Sequence, residues 1–459
     1  MTDFTDDELE KCLRVLRVVA RAPERADELT ELKTLVAKIY TKARRERRRD
    51  ARAALAGELG ELRESTVLYQ KNKALDAGAP LLVAPRDEGY RTSPKPANCY
   101  ICKTPYTAVH FFYHLLCPSC AEFNYAKRFQ RTDLRGRRAL VTGGRMKIGY
   151  ELALRMLRDG AEVFVTTRFP RNAAAKFAKE NDFGEFQDRL RIYGLDLRNL
   201  RAVEEFADNL RAELDYLDIL VHNAAQTVKR PAGFYAHLIE REKSAPELLP
   251  PALEDLVKTK EFALAEQHAQ YPQVFAPENL LIAQAEFDGH GQPKDFRAVN
   301  SWTARLEDVS TLELVETQLV NAVAPFVLTG KLKPLLERSP HERKFVVNVS
   351  AMEGQFARRN KTCFHPHTNM AKAALNMLTR TSAQDFARSG IYMNSVDTGW
   401  ITEENPYPKK TRIQERGFIT PLDEIDGAAR VYDPVARGLN EEETPVFGCF
   451  LKDYAPSEW

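Results

Sequence analysis

Between residues 134 and 400 the apolar positions switch repeatedly between two periods. The runs Arg138–Thr142, Glu162–Thr167, Leu190–Leu195, Leu217–His222, Lys344–Val349 and Ile391–Val396 are short and nearly continuous, as strands buried on both faces are. Between them, Tyr150–Arg158, Leu200–Leu214, Thr311–Leu336 and Asn369–Arg388 repeat apolar residues at helical spacing. Strands alternating with amphipathic helices predict an α/β fold, a doubly wound parallel Rossmann-type sheet with helices on both faces. Ahead of it, Leu9, Leu13 and Leu16, then Leu29, Leu32, Leu35 and Ile39, predict an α-helical arm over residues 1–75, folded as a hairpin. Residues 76–98, with Pro80, Pro85, Gly89, Pro94 and Pro96, read as a linker.

One interval breaks the alternation. Asn223 and Asn321, at the fourth strand and the helix that should follow it, stand 98 positions apart, too far for an ordinary connection. Residues 228–300 are therefore predicted to be an insertion, helical over Pro251–Gln267, within an α/β region that runs from 134 to 459. It leaves the sheet at a strand's carboxyl end, where ligands of such sheets bind, so it is placed to cover a site.

Composition narrows the partners. Among 459 residues, 67 Lys and Arg against 65 Asp and Glu leave a net charge of +2, with no chain-wide field to attract nucleic acid or an anionic membrane. The basic run Lys42–Arg52 is diluted by Glu46 and Asp50 and lacks aromatic residues for base stacking, so it reads as a solvated helix face. No fully apolar run reaches the roughly 18 residues of a membrane span. The acidic start lacks a signal-peptide pattern. The expectation is a cytoplasmic chain, with a homo-oligomer and a protein partner held through its arm as the two candidate assemblies.

Cysteine spacing adds a metal. Cys99 and Cys102 form one Cys-x-x-Cys pair and Cys117 and Cys120 a second, fourteen residues on. Two such pairs suit a tetrahedral Zn2+ that folds its segment, here 99–133, and leaves no open coordination position. His110 and His114 stand between the pairs and offer an imidazole in place of one thiolate. A redox pair, or four unrelated cysteines, is the competing reading. A zinc module of this kind is a second surface for a protein partner.

Chemistry-bearing residues fall at the strand ends. Thr142-Gly-Gly-Arg-Met-Lys-Ile-Gly149 joins the first strand to the first helix, aiming amide groups at a pyrophosphate. Asp196 ends the third strand, His222-Asn-Ala-Ala the fourth and Asn348-Val-Ser-Ala the fifth. Asn321 lies in one helix and Lys372 in the next, and Val396-Asp-Thr-Gly-Trp-Ile-Thr402 follows the sixth strand. In this order, over about residues 134–451, the chain resembles the short-chain dehydrogenase/reductase family. The resemblance implies a dinucleotide at the carboxyl edge. Gly143, Gly144, Ile148 and Gly149 would form its turn, and Asp196 with Leu197 would meet the adenine. Asn223 and Ala224 would lie beside the adenine ribose, Lys372 at the other ribose and Thr402 on the nicotinamide side. The second strand ends in Arg168 without a carboxylate, and Arg145 lies in the turn, a charge pattern that favours NADP(H) over NAD.

The resemblance also shows what has changed. The family works with Asn, Ser, Tyr and Lys; Asn321 and Lys372 match. The Tyr position holds Thr368, and the Ser position holds Ala351, with Ser350 one place earlier. Lys147 replaces the turn's middle glycine, so its β-carbon should push the phosphate outward while its charge attracts it. A threonine hydroxyl is too weak an acid to donate a proton near neutral pH, and His367, beside the altered position, is the expected replacement, with His365 close by. Helix capping is the alternative role for both. Three functions stay open. One is an NADP(H)-dependent oxidoreductase on an unidentified small-molecule carbonyl or alcohol, with a non-tyrosine proton donor. The second is a catalytically silent nucleotide sensor or scaffold working through the zinc module, arm and insertion. The third is an epimerisation or hydrolysis on a nucleotide-linked substrate.

Overall fold

A computed structural model describes residues 4–26, 29–77, 89–248, 253, 255–258 and 286–459. The chain divides into two compact units, residues 1–64 and 65–459. The first holds helices Asp6–Arg21 and Thr30–Glu64, neither with a buried residue. Thr5 caps the first of them through a capping box with Glu8. The arm thus ends before the expected residue 75. Helix Val67–Ala77 belongs to the second unit, where Leu68 and Tyr69 are buried and the Asn72 amide donates to the carbonyl of Leu422.

Part of the expected linker is a strand. β1 (Tyr90–Asn98) pairs antiparallel with β2 (Pro105–His110), and the register slips between Thr92 and Ala97. Pro94 and Pro96 sit within that slip, where a missing ladder N–H is tolerated. Helix Pro118–Lys127 completes the module.

The main sheet takes β3 (Arg138–Thr142), β4 (Glu162–Thr167), β5 (Leu190–Gly194), β6 (Ile219–His222), β7 (Val257–Lys258), β8 (Lys344–Ser350), β9 (Ile391–Asp397), β10 (Phe450–Lys452) and β11 (Ala455–Ser457). Their order is β11-β10-β9-β8-β6-β3-β4-β5-β7. Only β11 runs antiparallel to its neighbour. β7 comes from the insertion and joins the sheet on β5. The insertion also carries helix Ala236–Leu248, whereas most of the helix expected over Pro251–Gln267 lies outside the described residues.

Residue alternation builds the layers. Val141, Val165, Ile192, Val221 and Val347 turn to one face, where helices Lys147–Arg158 and Glu424–Asn440 pack. Leu140, Phe164, Tyr193, Leu220 and Val346 turn to the other, against Leu200–Glu213 and Ala324–Glu337. The continuous helical stretch Thr311–Glu337 is long and apolar enough to cross a membrane. Its Leu328, Leu332, Leu335 and Leu336 are instead buried in this second core. The strand order reverses direction between β3 and β6, which opens a crevice beyond their carboxyl ends.

Candidate functional site

The glycine turn is locked onto that crevice. Gly143 has φ +71, and its amide donates to the Thr166 carbonyl at 2.9 Å. A Cβ on Gly149 would lie 2.3 Å from the Gly143 oxygen and 2.4 Å from the Asn223 amide nitrogen, so only glycine lets the helix approach the strand. The Asn223 amide donates to the Thr142 and Gly143 carbonyls at 3.0 and 3.1 Å, which makes it the brace of the turn. Ala224 packs against Gly143, and Gly144 faces back toward Val165. Ile148 packs on Gly427.

Lys147 lines the site at the turn's middle position. Its backbone is left-handed, φ +52, the region where a β-carbon costs about 1–2 kcal/mol. A side chain at this position therefore bears a strain that a glycine would not. The Lys147 ammonium lies 4.0 Å from the Glu404 carboxylate, which also accepts from the Thr402 hydroxyl at 2.7 Å. Burial raises the Glu404 pKa, but Lys147 and Arg230 outweigh it and hold the group ionised below its ordinary range. Lys147→Gly is expected to stabilise the fold by about 1 kcal/mol, read as a higher urea midpoint at unchanged slope. An unchanged or lower midpoint contradicts the strain.

The end of the site near Arg145 and Arg168 is cationic. The Arg145 guanidinium donates to the Asn172 side chain at 3.0 Å, and burial pushes its pKa down to about 10. Arg168 lies with its guanidinium carbon 4.3 Å from the ring centroid of Tyr235, a residue of the insertion. Burial alone would raise the Tyr235 hydroxyl, but Arg168 foremost, then Arg230 and Arg145, bring it below its ordinary value. Asp196 is held ionised against its burial by a two-pronged contact from Arg198, and Leu197 beside it is buried.

One cavity of about 1200 Å³ runs from this end to the catalytic positions, more than the ~300–1,000 Å³ of a single small-ligand pocket. Lys372, Thr368 and Ser350 line it together. Helix Pro366–Ala387 places Thr368 one turn before Lys372 on the same face. Ser350 Oγ and Thr368 Oγ1 are buried and have no hydrogen-bond partner among the described residues. The Lys372 ammonium donates to the Val349 carbonyl at 2.7 Å. Burial lowers its pKa to about 8, with Glu353 pulling the other way.

Three expected site residues do not line this cavity: Gly144, Asn321 and His367. The Asn321 side chain bonds both backbone groups of Gln226, at 2.7 and 3.1 Å, from within a π-helical turn, Leu319–Val323. His367 turns away, its Nε2 lying 3.3 Å from a Glu313 carboxylate oxygen. This corrects the assignment of His367 as the replacement proton donor. The imidazole at the cavity is that of His365, stacked on Trp302 with 4.1 Å between centroids. Its Nδ1 donates to the Trp302 carbonyl at 3.0 Å, and burial lowers its pKa, so its free nitrogen is an acceptor.

The sequence reading missed Asp397, Tyr100 and Tyr235. Asp397, cross-strand neighbour of Ser350, lines the cavity and is raised by burial to about 6. Its position at a strand's carboxyl end was the available signal.

The four thiol sulfurs of Cys99, Cys102, Cys117 and Cys120 lie within 4.8 Å of one another. Tetrahedral zinc thiolates stand about 3.8 Å apart, so the donor set fits the ion with little adjustment. His110 and His114 are engaged elsewhere: His110 Nδ1 accepts from the Phe112 amide at 3.0 Å, and His114 Nε2 meets the Ile419 carbonyl at 3.2 Å. Hydrogen bonds from Thr104 push Cys102 down to about 6, whereas burial pushes the Cys99 and Cys120 thiols up.

Comparison with known proteins agrees with this architecture. Residues 137–242 match the short chain dehydrogenase family model, and residues 297–415 match the model described as enoyl-(acyl carrier protein) reductase. The unmatched interval falls within the insertion. An uncharacterized protein of Acanthamoeba polyphaga mimivirus is 34% identical over 358 residues, which are 75% of this chain and 72% of that one. A WW domain-containing oxidoreductase of Drosophila melanogaster is 35% identical over 95 residues, 20% of this chain and 23% of its own length. A short chain dehydrogenase of Burkholderia cenocepacia, solved in complex with NADP, is 22% identical with a TM-score of 0.45, over 70% of this chain and 97% of that one. The chain belongs to the short-chain dehydrogenase/reductase family.

Proposed function

We propose that the chain is an NADP(H)-dependent oxidoreductase acting on a carbonyl/alcohol pair, with Lys372 as the proton donor in place of the family's tyrosine. One observation carries this reading: two buried, unpartnered hydroxyls and a buried lysine line the same cavity as the glycine turn. The residues present suit the dinucleotide. Gly143 and Gly149 keep the turn packed close on the sheet, Lys147 adds a positive charge at its middle position, and Arg145 and Arg168 supply positive charge where a 2′-phosphate would lie.

When bound, NADPH supplies the hydride, which adds to the carbonyl carbon. Ser350 and Thr368 orient the carbonyl oxygen through their hydroxyls. Lys372 gives that oxygen a proton from Nζ, becomes a neutral amine and is reprotonated from water. The alternatives at the cavity are poorer donors near neutral pH. Neutral His365 offers an acceptor, and Asp397, at about 6, is mostly ionised. Lys372, at about 8, is mostly protonated, in the range suited to a general acid. We also infer that the four cysteines hold one structural Zn2+, supported by the all-thiolate donor set.

The test is a fluorescence titration with NADPH and NADH, followed by a panel of aldehydes and ketones. Tighter binding of NADPH and turnover of at least one carbonyl are expected. No binding at millimolar NADPH overturns the reading. Binding without turnover across the panel replaces it by the sensor or scaffold.

A further inference from the structure

The cysteine module reaches the cavity through Tyr100 and Lys103, and Tyr100 also bonds a loop of the main domain. Tyr100 lies between the ligands Cys99 and Cys102, in a turn closed by the Lys103 amide donating to the Cys99 carbonyl at 3.1 Å. Its own amide donates to the Leu115 carbonyl at 2.8 Å, which joins the two halves of the knuckle. Its hydroxyl accepts a hydrogen bond from the Trp400 amide at 3.0 Å. Trp400 belongs to the loop Thr398–Thr402, and both it and Tyr100 line the cavity. Gly399 turns that loop with φ +78, and the Trp400 ring rests on Phe418 at 4.7 Å.

We propose that Tyr100 is a positioning residue through which the metal-bound knuckle sets the shape of the Thr398–Thr402 loop, and so the affinity of the site for its cofactor. Metal at the four thiolates fixes the turn, the turn fixes the phenol, and the phenol fixes the Trp400 amide. A loosened knuckle releases the loop without altering the residues that carry the chemistry. This rests on the NADP(H) reading only for the affinity. The coupling between knuckle and loop is independent of it.

The experiment compares the full-length zinc-loaded protein, its Tyr100→Phe variant and both after zinc removal by chelator. It follows amide hydrogen exchange at Trp400 and, separately, NADPH binding. Tyr100→Phe is expected to keep one zinc per chain and a wild-type unfolding midpoint, while Trp400 exchange speeds up about fivefold. The KM for NADPH rises by a similar factor, with kcat little changed. Zinc removal produces the same acceleration in the wild type and adds little in Tyr100→Phe, since both act on one contact. Wild-type exchange at Trp400 in Tyr100→Phe overturns the proposal, whatever NADPH does. Failure of the wild type to bind NADPH removes the cofactor reading alone, because the exchange data still decide the coupling.

Discussion

Lys372→Met is expected to lower kcat for carbonyl reduction by about 10²–10⁴, the range of general acid catalysis, while NADPH still binds. The reasoning starts from Thr368. Its side chain ends too short and too weakly acidic to replace a phenol, and the next proton-bearing group on that helix face is Lys372, one turn on. Burial lowers Lys372 to about 8, and Glu353 is the carboxylate that restrains the shift. The ammonium is the donating form, so reduction should hold steady at lower pH and fall as pH rises through about 8. Alcohol oxidation requires the amine and should rise through the same point. Lys372→Arg keeps the charge but cannot deprotonate, so its pH profile should lose that break. Wild-type kcat with an unshifted profile in both variants would assign the proton to another group. Thr368→Tyr in the otherwise native chain should raise kcat, since it restores the phenol beside its lysine.

Stripping the metal from the cysteine cluster is the second large effect. One zinc per chain is expected by elemental analysis, and its removal should lower the unfolding midpoint by roughly 5–10 °C. The loss reaches beyond the knuckle because of Arg128. This arginine follows helix Pro118–Lys127 and donates to Asp423 at 2.7 Å and Asp426 at 2.8 Å, both fully buried. Burial disfavours the Asp423 carboxylate, but Arg128 foremost and then Lys71 hold it well below the ordinary range. If the module loosens, two carboxylates remain in the interior without their main counter-charge, a strongly destabilising arrangement. Cys99→Ser should reproduce the shift. A protein that contains no zinc, or whose midpoint ignores the chelator, defeats this account.

Strand and helix positions were legible because the sheet is buried on both faces and its flanking helices on one. Continuous apolar runs and helical spacing then separate cleanly, as in Glu162–Thr167, which forms β4 over the same residues. The cysteine cluster was legible because Cys-x-x-Cys pairing is local. The donor assignment failed for a local reason as well. The helix was expected to begin at Asn369, which left His365 and His367 together in a loop. It begins at Pro366, after His365 takes a left-handed conformation with φ +44. Once His367 is helical, it faces about 100° away from Thr368, toward Glu313. Proline's preference for the first helical position was the signal to use. Tyr100 and Tyr235 were illegible for a different reason. Each reaches the cavity from a segment distant in sequence, and nothing in its neighbours marks the contact.

The short outer strands have a consequence for handling the protein at high concentration. Among the described residues β11, at one edge of the nine-stranded sheet, has three residues and ends that edge in a stub. A stub offers too few free amide and carbonyl groups to recruit a strand from another molecule, which is the usual route from a large open sheet to fibrous aggregates. Deleting the insertion would uncover β5, five residues long and almost wholly buried, as a new edge. A chain trimmed of the insertion would therefore be harder to keep in solution.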